Sequence, residues 1–184
     1  MEGSSIRSLA IVLLILIVSF FTQAPFADPW NKTDHLFRIE RSINKNFVQF
    51  DVRLTENSNL PDSSPVIVYW VLESGQEEEL TQIQQKYAYG IHSQEKIEQN
   101  RLRVTLAALK DREIIVEKIN GSFRALVFIN GIQSILERVY IESKPRLTGL
   151  PNVLYIDLFG RTKGINSTIR ERIIPKGPGV RLKY

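Results

Sequence analysis

Two Asn-Gly dipeptides, Asn120-Gly121 and Asn130-Gly131, constrain this chain more than any other feature. A two-residue type I′ turn needs φ > 0 at both central positions, and Asn followed by Gly meets that need at low steric cost. Around the two turns, Arg112 to Ile119, Ser122 to Ile129 and Ile132 to Ser143 read as the strands that the turns join. Arg101 to Leu109 alternates apolar and polar side chains, the period of a half-buried strand, with a turn expected at Lys110-Asp111. Four consecutive antiparallel strands are therefore expected.

The rest of the chain extends this pattern. Leu36 to Arg41 reads as a strand with Leu36 offset and Phe37 and Ile39 sharing a face. In Asn46 to Thr55, Val48, Phe50, Val52 and Leu54 point one way, and Phe47, Gln49, Asp51 and Arg53 the other. Val66 to Glu73 is apolar on both faces, as a central strand covered on each side would be. Ser74 and Glu77 have capping-box spacing, three glutamates follow in a first helical turn, and Leu80, Ile83 and Tyr87 form a stripe that Gly90 ends. That predicts a surface helix packed on the sheet. Val153 to Gly160 reads as a buried strand, Thr168 to Ile174 as an edge strand, and Pro175 to Tyr184 as a tail. The fold class expected is mainly β: an antiparallel β-sandwich, or a partly closed barrel, with one short surface helix.

The amino terminus carries an address. Arg7 precedes an apolar run from Leu9 to Phe21, and small residues and prolines follow it. This is the layout of an export signal, and the run is shorter than the ~20 residues a spanning helix needs. Residues 1–27 are thus expected to be a cleaved signal or an amino-terminal anchor through residues 9–21. A linker at 28–35, a β domain at 36–160 and a basic segment at 161–184 complete the organisation. The domain is expected outside the cytoplasm, periplasmic or secreted. The chain has no Cys, which removes disulfides, thiolate metal sites and Cys nucleophiles together. Its two histidines, His35 and His92, do not make a zinc site by themselves, so no metal and no cofactor are expected. No phosphate loop, dinucleotide fingerprint or nucleophile elbow occurs, so no catalytic residue is assigned.

Several residues nonetheless invite a binding role. The polar knot from Arg41 to Asn46 joins two strands and reads as a hairpin turn, or as a donor cluster in which Arg41, Ser42, Asn44 and Asn46 meet an anion or a sugar. Tyr89 and His92 follow the expected helix and could line a mouth. Asp157 sits inside an apolar strand, where a carboxylate must be paired, hydrogen-bonded or protonated; Arg138 and Arg124 are cations in similar settings. Three Asn-X-Ser/Thr matches fall at Asn31, Asn120 and Asn166. The formal charge is +4, and basic residues dominate from Arg161 onward, with Glu171 the only acid there. An anionic envelope component is the partner this segment suggests. Nucleic acid is not expected, since stacking aromatics are not interleaved with the charges.

The segments "LFRIERSINKNFVQFDV", "PVIVYWVL", "LTQIQQKYAYGI", "LERVYIES" and "VLYIDLFG" together resemble the bacterial domain-of-unknown-function 4833 family. The resemblance runs from about Leu36 to Gly160. It implies a single exported domain, and transfers no catalytic residue because the family carries no assigned activity. It also implies that the knot, the Tyr-Ala-Tyr-Gly segment and the strand with Asp157 recur. The reading that results is a non-catalytic binding or structural module of the cell envelope, with a small hydrolase centred on Asp157 as the alternative.

Overall fold

The computed structural model describes residues 32–145, 151–164 and 167–175. The expected signal or anchor, Asn31 and Asn166 of the glycosylation matches, and the tail from residue 176 lie outside the described residues. Among the described residues are eleven strands: β1 (Thr33–Arg41), β2 (Asn44–Arg53), β3 (Val66–Val71), β4 (Glu77–Glu79), β5 (Ile91–Glu98), β6 (Arg101–Leu106), β7 (Leu109–Ile119), β8 (Ser122–Ile129), β9 (Ile132–Lys144), β10 (Asn152–Thr162) and β11 (Thr168–Ile173). One helix, α1 (Gln82–Tyr87), lies between β4 and β5. The strands hydrogen-bond in the order β4-β3-β2-β1-β9-β8-β7-β6-β5, and β10 adds to β9 with β11 beyond it. No helix among the described residues is long and apolar enough to cross a membrane.

β9 is the hinge of this arrangement. Along one edge it pairs with β10 for most of its length. Along the other it meets β8 over Ile132 to Ile135 and then β1, in parallel, over Arg138 to Ile141. The sheet therefore divides, with β1 to β4 leaving one half of β9 and β5 to β8 the other. A bulge makes the division possible. Phe159 pairs with Arg138 and Gly160 with Leu136, so Glu137 is skipped. The extra residue lets Leu136 and Val139 both face the core, although an unbroken strand would turn them to opposite sides. Gly160 faces the bulge because nothing larger fits: a Cβ there would run into the Ile135 carbonyl oxygen and the Ile129 side chain.

The two walls bury a common core. Phe37 and Ile39 of β1 and Val48, Phe50 and Val52 of β2 face Leu102, Val104, Val116, Phe123 and Ile129 of β6 to β8. The Phe37 and Phe50 rings stack 4.4 Å apart. Each such side chain contributes about 1.5–3 kcal/mol on leaving water. The alternation expected in β2 is realised, and both Asn-Gly turns have positive φ at both residues: 51° and 87° at Asn120-Gly121, 48° and 77° at Asn130-Gly131.

Several local expectations are corrected. Only Val66 and Trp70 of β3 are buried, because its neighbour β4 is three exposed glutamates and covers little. Those glutamates form an edge strand rather than a first helical turn, and Ser74-Gly75 is a tight turn with Gly75 at φ 84°. Thr81 and Gln84 make the capping box instead, and Ile83 and Tyr87 are 63% and 58% exposed. A helix this short has no continuous apolar stripe to bury. β5 is an edge strand whose two faces are both largely polar, so it shows no alternation to read. The β6–β7 turn falls at Ala107-Ala108 rather than Lys110-Asp111, because burying both Leu106 and Leu109, which pair across it, sets the register. β1 begins at Thr33, inside the stretch read as a linker.

Candidate functional site

The side of β1, β2, β3, β9, β10 and β11 that faces away from the core carries nearly all of their charge. Strand pairing aligns its residues in rows. One runs Tyr69, Gln49, Arg38, Arg138, Phe159, Arg170; the next runs Phe47, Glu40, Tyr140, Asp157, Arg172. Period-2 alternation drives much of this: Gln49, Arg38 and Asp157, for example, each lie between two apolar residues that point to the core side. Guanidinium groups lie over rings, with the Arg138 carbon Cζ 4.1 Å from the Phe159 centroid and that of Arg172 3.6 Å from the Tyr155 centroid. A cation held over a ring face in this way is attracted to it, and a guanidinium keeps N–H donors for other partners.

Asp157 lies at the centre and is 2% exposed. Arg172 grips it with Nε to Oδ1 and Nη2 to Oδ2, both 2.8 Å, and Arg170 adds Nη2 to Oδ2 at 2.7 Å. The hydrogen bonds from Arg172 hold the Asp157 carboxyl below its usual range, against the burial that pushes it up, and Arg170 reinforces them. Its partners are thus the β11 arginines. Arg138 and Arg124 are not involved: Arg138 binds Glu40 at 2.9 Å, and Arg124 reaches the His35 carbonyl.

Beside this pair is a hollow of about 350 Å³ lined by His35, Arg38, Glu137, Arg138, Phe159 and Thr168. Arg38 and Arg138 share one counter-ion: Arg38 Nε donates to Glu40 Oε1 at 2.7 Å and Arg138 Nη1 to Glu40 Oε2. Glu137, pushed outward by the bulge, is paired with Arg161. At the rim His35 meets a buried carboxylate. Asp51 accepts from Tyr69 Oη at 2.6 Å and from Gln49 Nε2 at 2.9 Å, and lies 3.0 Å from His35 Nδ1. Burial, and then the bond to Asp51, push the Tyr69 phenol well above its usual range. No cluster of three metal-ligating side chains occurs among the described residues.

Comparison with known families places this architecture. Residues 37–172 match the family described as Domain of unknown function (DUF4833). The chain belongs to the DUF4833 family. No match was found among curated proteins or among solved structures. The matched stretch of the DUF4833 domain includes Asp157 with both its arginines, and Glu40 with Arg38 and Arg138; His35 lies just before it.

The expected site residues divide into separate places on the DUF4833 fold. Arg138 lines the hollow, and Asp157 lies next to it on the same face. Arg41, Asn44 and Tyr89 gather elsewhere, on the core side of the sheet. Arg41 lies 4.3 Å from the Trp70 ring centroid and donates to Asn44 Oδ1, and Tyr89 packs edge-on against Trp70. The knot is a hairpin turn: Ser42 bonds the Ser143 backbone, Asn46 accepts from the Glu73 amide, and Lys45 pairs with Glu73. His92 is exposed on β5, apart from both groups. Among the described residues of the basic carboxy segment, Arg161, Lys163, Arg170 and Arg172 all pair with carboxylates. Sequence reasoning missed His35, Arg38, Glu40, Asp51 and Phe159. Their signal was the polar half of each alternating strand, which reads as ordinary solvent-facing surface until the strands are ordered.

Proposed function

We propose that this domain is an exported, non-catalytic binding module of the cell envelope, and that it recognises an anionic group at the hollow between β1, β9 and β11. The observation that carries the reading is the sharing of Glu40. Two guanidinium groups face one carboxylate, so a positive charge and most of the N–H donors of Arg138 remain for a ligand. The other carboxylates of the face have local partners: Glu137, which also lines the hollow, pairs with Arg161, Asp157 with Arg170 and Arg172, Glu142 accepts from Tyr140 and Tyr155, and Asp51 from Tyr69 and Gln49. A volume of about 350 Å³ is at the small end of ligand sites and suits a small anion or one anionic group of a polymer. Export rests on the apolar run after Arg7.

A hydrolytic centre on Asp157 is not favoured, because three hydrogen bonds from two arginines hold that carboxylate ionised and occupied. Calorimetric titration of the purified protein with inorganic phosphate and with acetate tests the binding reading. Saturable binding that disappears in the Arg38→Gln/Arg138→Gln double variant is expected, with the fold retained. An absence of saturation with either anion rejects it. Cell fractionation tests export: the protein should be found outside the cytoplasm, and a cytoplasmic pool of full mass from Met1 would reject it.

A further inference from the structure

The arginines of this face do not stop at the hollow. Arg38 and Arg138 share Glu40, and Arg170 and Arg172 share Asp157, so one arrangement occurs twice. The two pairs meet at a single ring: Cζ of Arg138 lies 4.1 Å and that of Arg170 5.6 Å from the Phe159 centroid. In each pair the carboxylate is the inner partner. The four arginine side chains are between 37% and 48% exposed, against 26% for Glu40 and 3% for Asp157. Guanidinium groups therefore form the layer that meets solvent, with their counter-ions beneath. Strand register sets them in line. Arg38, Arg138 and Arg170 belong to one row with Tyr69, Gln49 and Phe159, and that row holds no acid. From β1 to β11 it crosses three strand spacings, roughly 14 Å. Arg170 stands beyond Phe159, outside the lining of the hollow, so an anion seated between Arg38 and Arg138 leaves its donors unused.

The geometry points to a linear acidic polysaccharide as the ligand, laid across the strands with one carboxylate in the hollow and a second at Arg170. This deepens the anion-binding reading and rests on it. A row of this length suits a ligand that repeats its anionic group. The fit of carboxylate to guanidinium is the one that Glu40 and Asp157 already make on this face. Glu137 in the lining favours a sugar chain over a phosphate chain. A carboxylate only accepts, so a sugar hydroxyl can donate to it, whereas an ionised phosphate chain has nothing to donate. The Thr168 hydroxyl, also in the lining, can pair with a second sugar hydroxyl. Once one carboxylate is bound, the link between sugars holds the next near Arg170, which raises its effective concentration there.

Calorimetric titration of the purified protein with galacturonate, trigalacturonate and tripolyphosphate tests this. Trigalacturonate should bind about tenfold or more tighter than galacturonate, the scale of one added charged hydrogen bond. That exceeds the roughly threefold gain that three equivalent carboxylates give by number alone. Arg170→Gln should remove most of the gain, and Arg138→Gln should weaken monomer and trimer alike. Arg172 still holds Asp157 in the Arg170 variant. If that variant does not fold, amide spectra of the wild type decide: trigalacturonate should shift the Arg170 signal and galacturonate should not. A smaller gain, a gain that survives in Arg170→Gln, or an Arg170 signal that the trimer leaves in place would overturn the inference and leave the anion site standing. Tripolyphosphate binding as tightly as trigalacturonate, with the same dependence on Arg170, would overturn it in favour of a phosphate chain. If galacturonate, trigalacturonate, acetate and phosphate all fail to saturate, the anion site falls as well.

Discussion

Arg172 holds Asp157 by two hydrogen bonds of 2.8 Å across the β10–β11 pair, and its guanidinium carbon lies over the Tyr155 ring, 3.6 Å from the centroid. The carboxylate is buried, whereas the Arg170 and Arg172 side chains are 48% and 43% exposed. Asp157→Asn removes the charge and turns one acceptor into a donor that faces guanidinium. Water can reach the arginines left behind, so the cost should fall below that of a fully buried pair. A loss of about 2 kcal/mol is expected from the charged hydrogen bonds alone. Denaturant midpoints of the two proteins measure it, and an unchanged midpoint would show that the pair adds nothing to stability.

The same pair sets an acid limit. The folded-state pKa of Asp157 is below the ordinary 3.8, so the unfolded chain takes up the proton at higher pH. Its stabilisation is complete well above 3.8 and is lost as pH falls through the depressed folded value. Glu171 acts in the same direction: burial pushes its carboxyl up, but two hydrogen bonds from Arg112 and one from the Asn130 amide outweigh it. Stability measured from pH 6 down to pH 2 should decline most steeply below pH 4, and Asp157→Asn should flatten that decline.

Gly121 and Gly131 sit at φ 87° and 77° with open space around the missing Cβ. The penalty for a side chain there is purely conformational. Gly121→Val and Gly131→Val should each cost about 1 kcal/mol or more, and Gly→Ala less, since β-branching resists this region most. Thermal midpoints check both.

Gly160 is constrained differently. Its backbone conformation is ordinary, but a Cβ would strike the Ile135 backbone and the Ile129 side chain. Gly160→Ala should therefore cost about 1–3 kcal/mol, as overpacking does, and should disturb the pairing on both edges of β9. Amide exchange at Leu136 and Arg161 would report it. A variant as stable as the wild type would mean that the bulge yields easily.

Much of this was legible where one face of a strand is apolar and the other polar. Val48, Phe50 and Val52 declared their side at once, and the Asn-Gly pairs declared their turns. Legibility failed where local signals competed. The three glutamates Glu77 to Glu79 suit a helix start and an exposed edge strand equally well, and only their pairing with Tyr69 to Val71 decides. For the site the difficulty was order rather than pattern. Arg138 and Asp157 could be singled out as charges on apolar strands. Nothing local says that β1, rather than a neighbour in sequence, pairs with β9, so Glu40 and Arg38 could not be set beside Arg138. His35 was hidden by the offset at Leu36, where the β1–β2 register shifts.

The parallel seam between β1 and β9 has a consequence in time. Glu40 and Arg138 meet across 98 positions of chain, whereas the hairpins from β5 to β9 close over short turns. Loop-closure entropy makes the long-range pairing a late event and the local meander an early one. β1 can pair with β2 as soon as both have emerged, but its other edge has no partner until β9 exists and stays exposed in the interval. The hollow spans this seam, so the chain is competent to bind only once its last and slowest contact has formed. Ligand capture at Arg138 would then serve as a clock for the completion of folding.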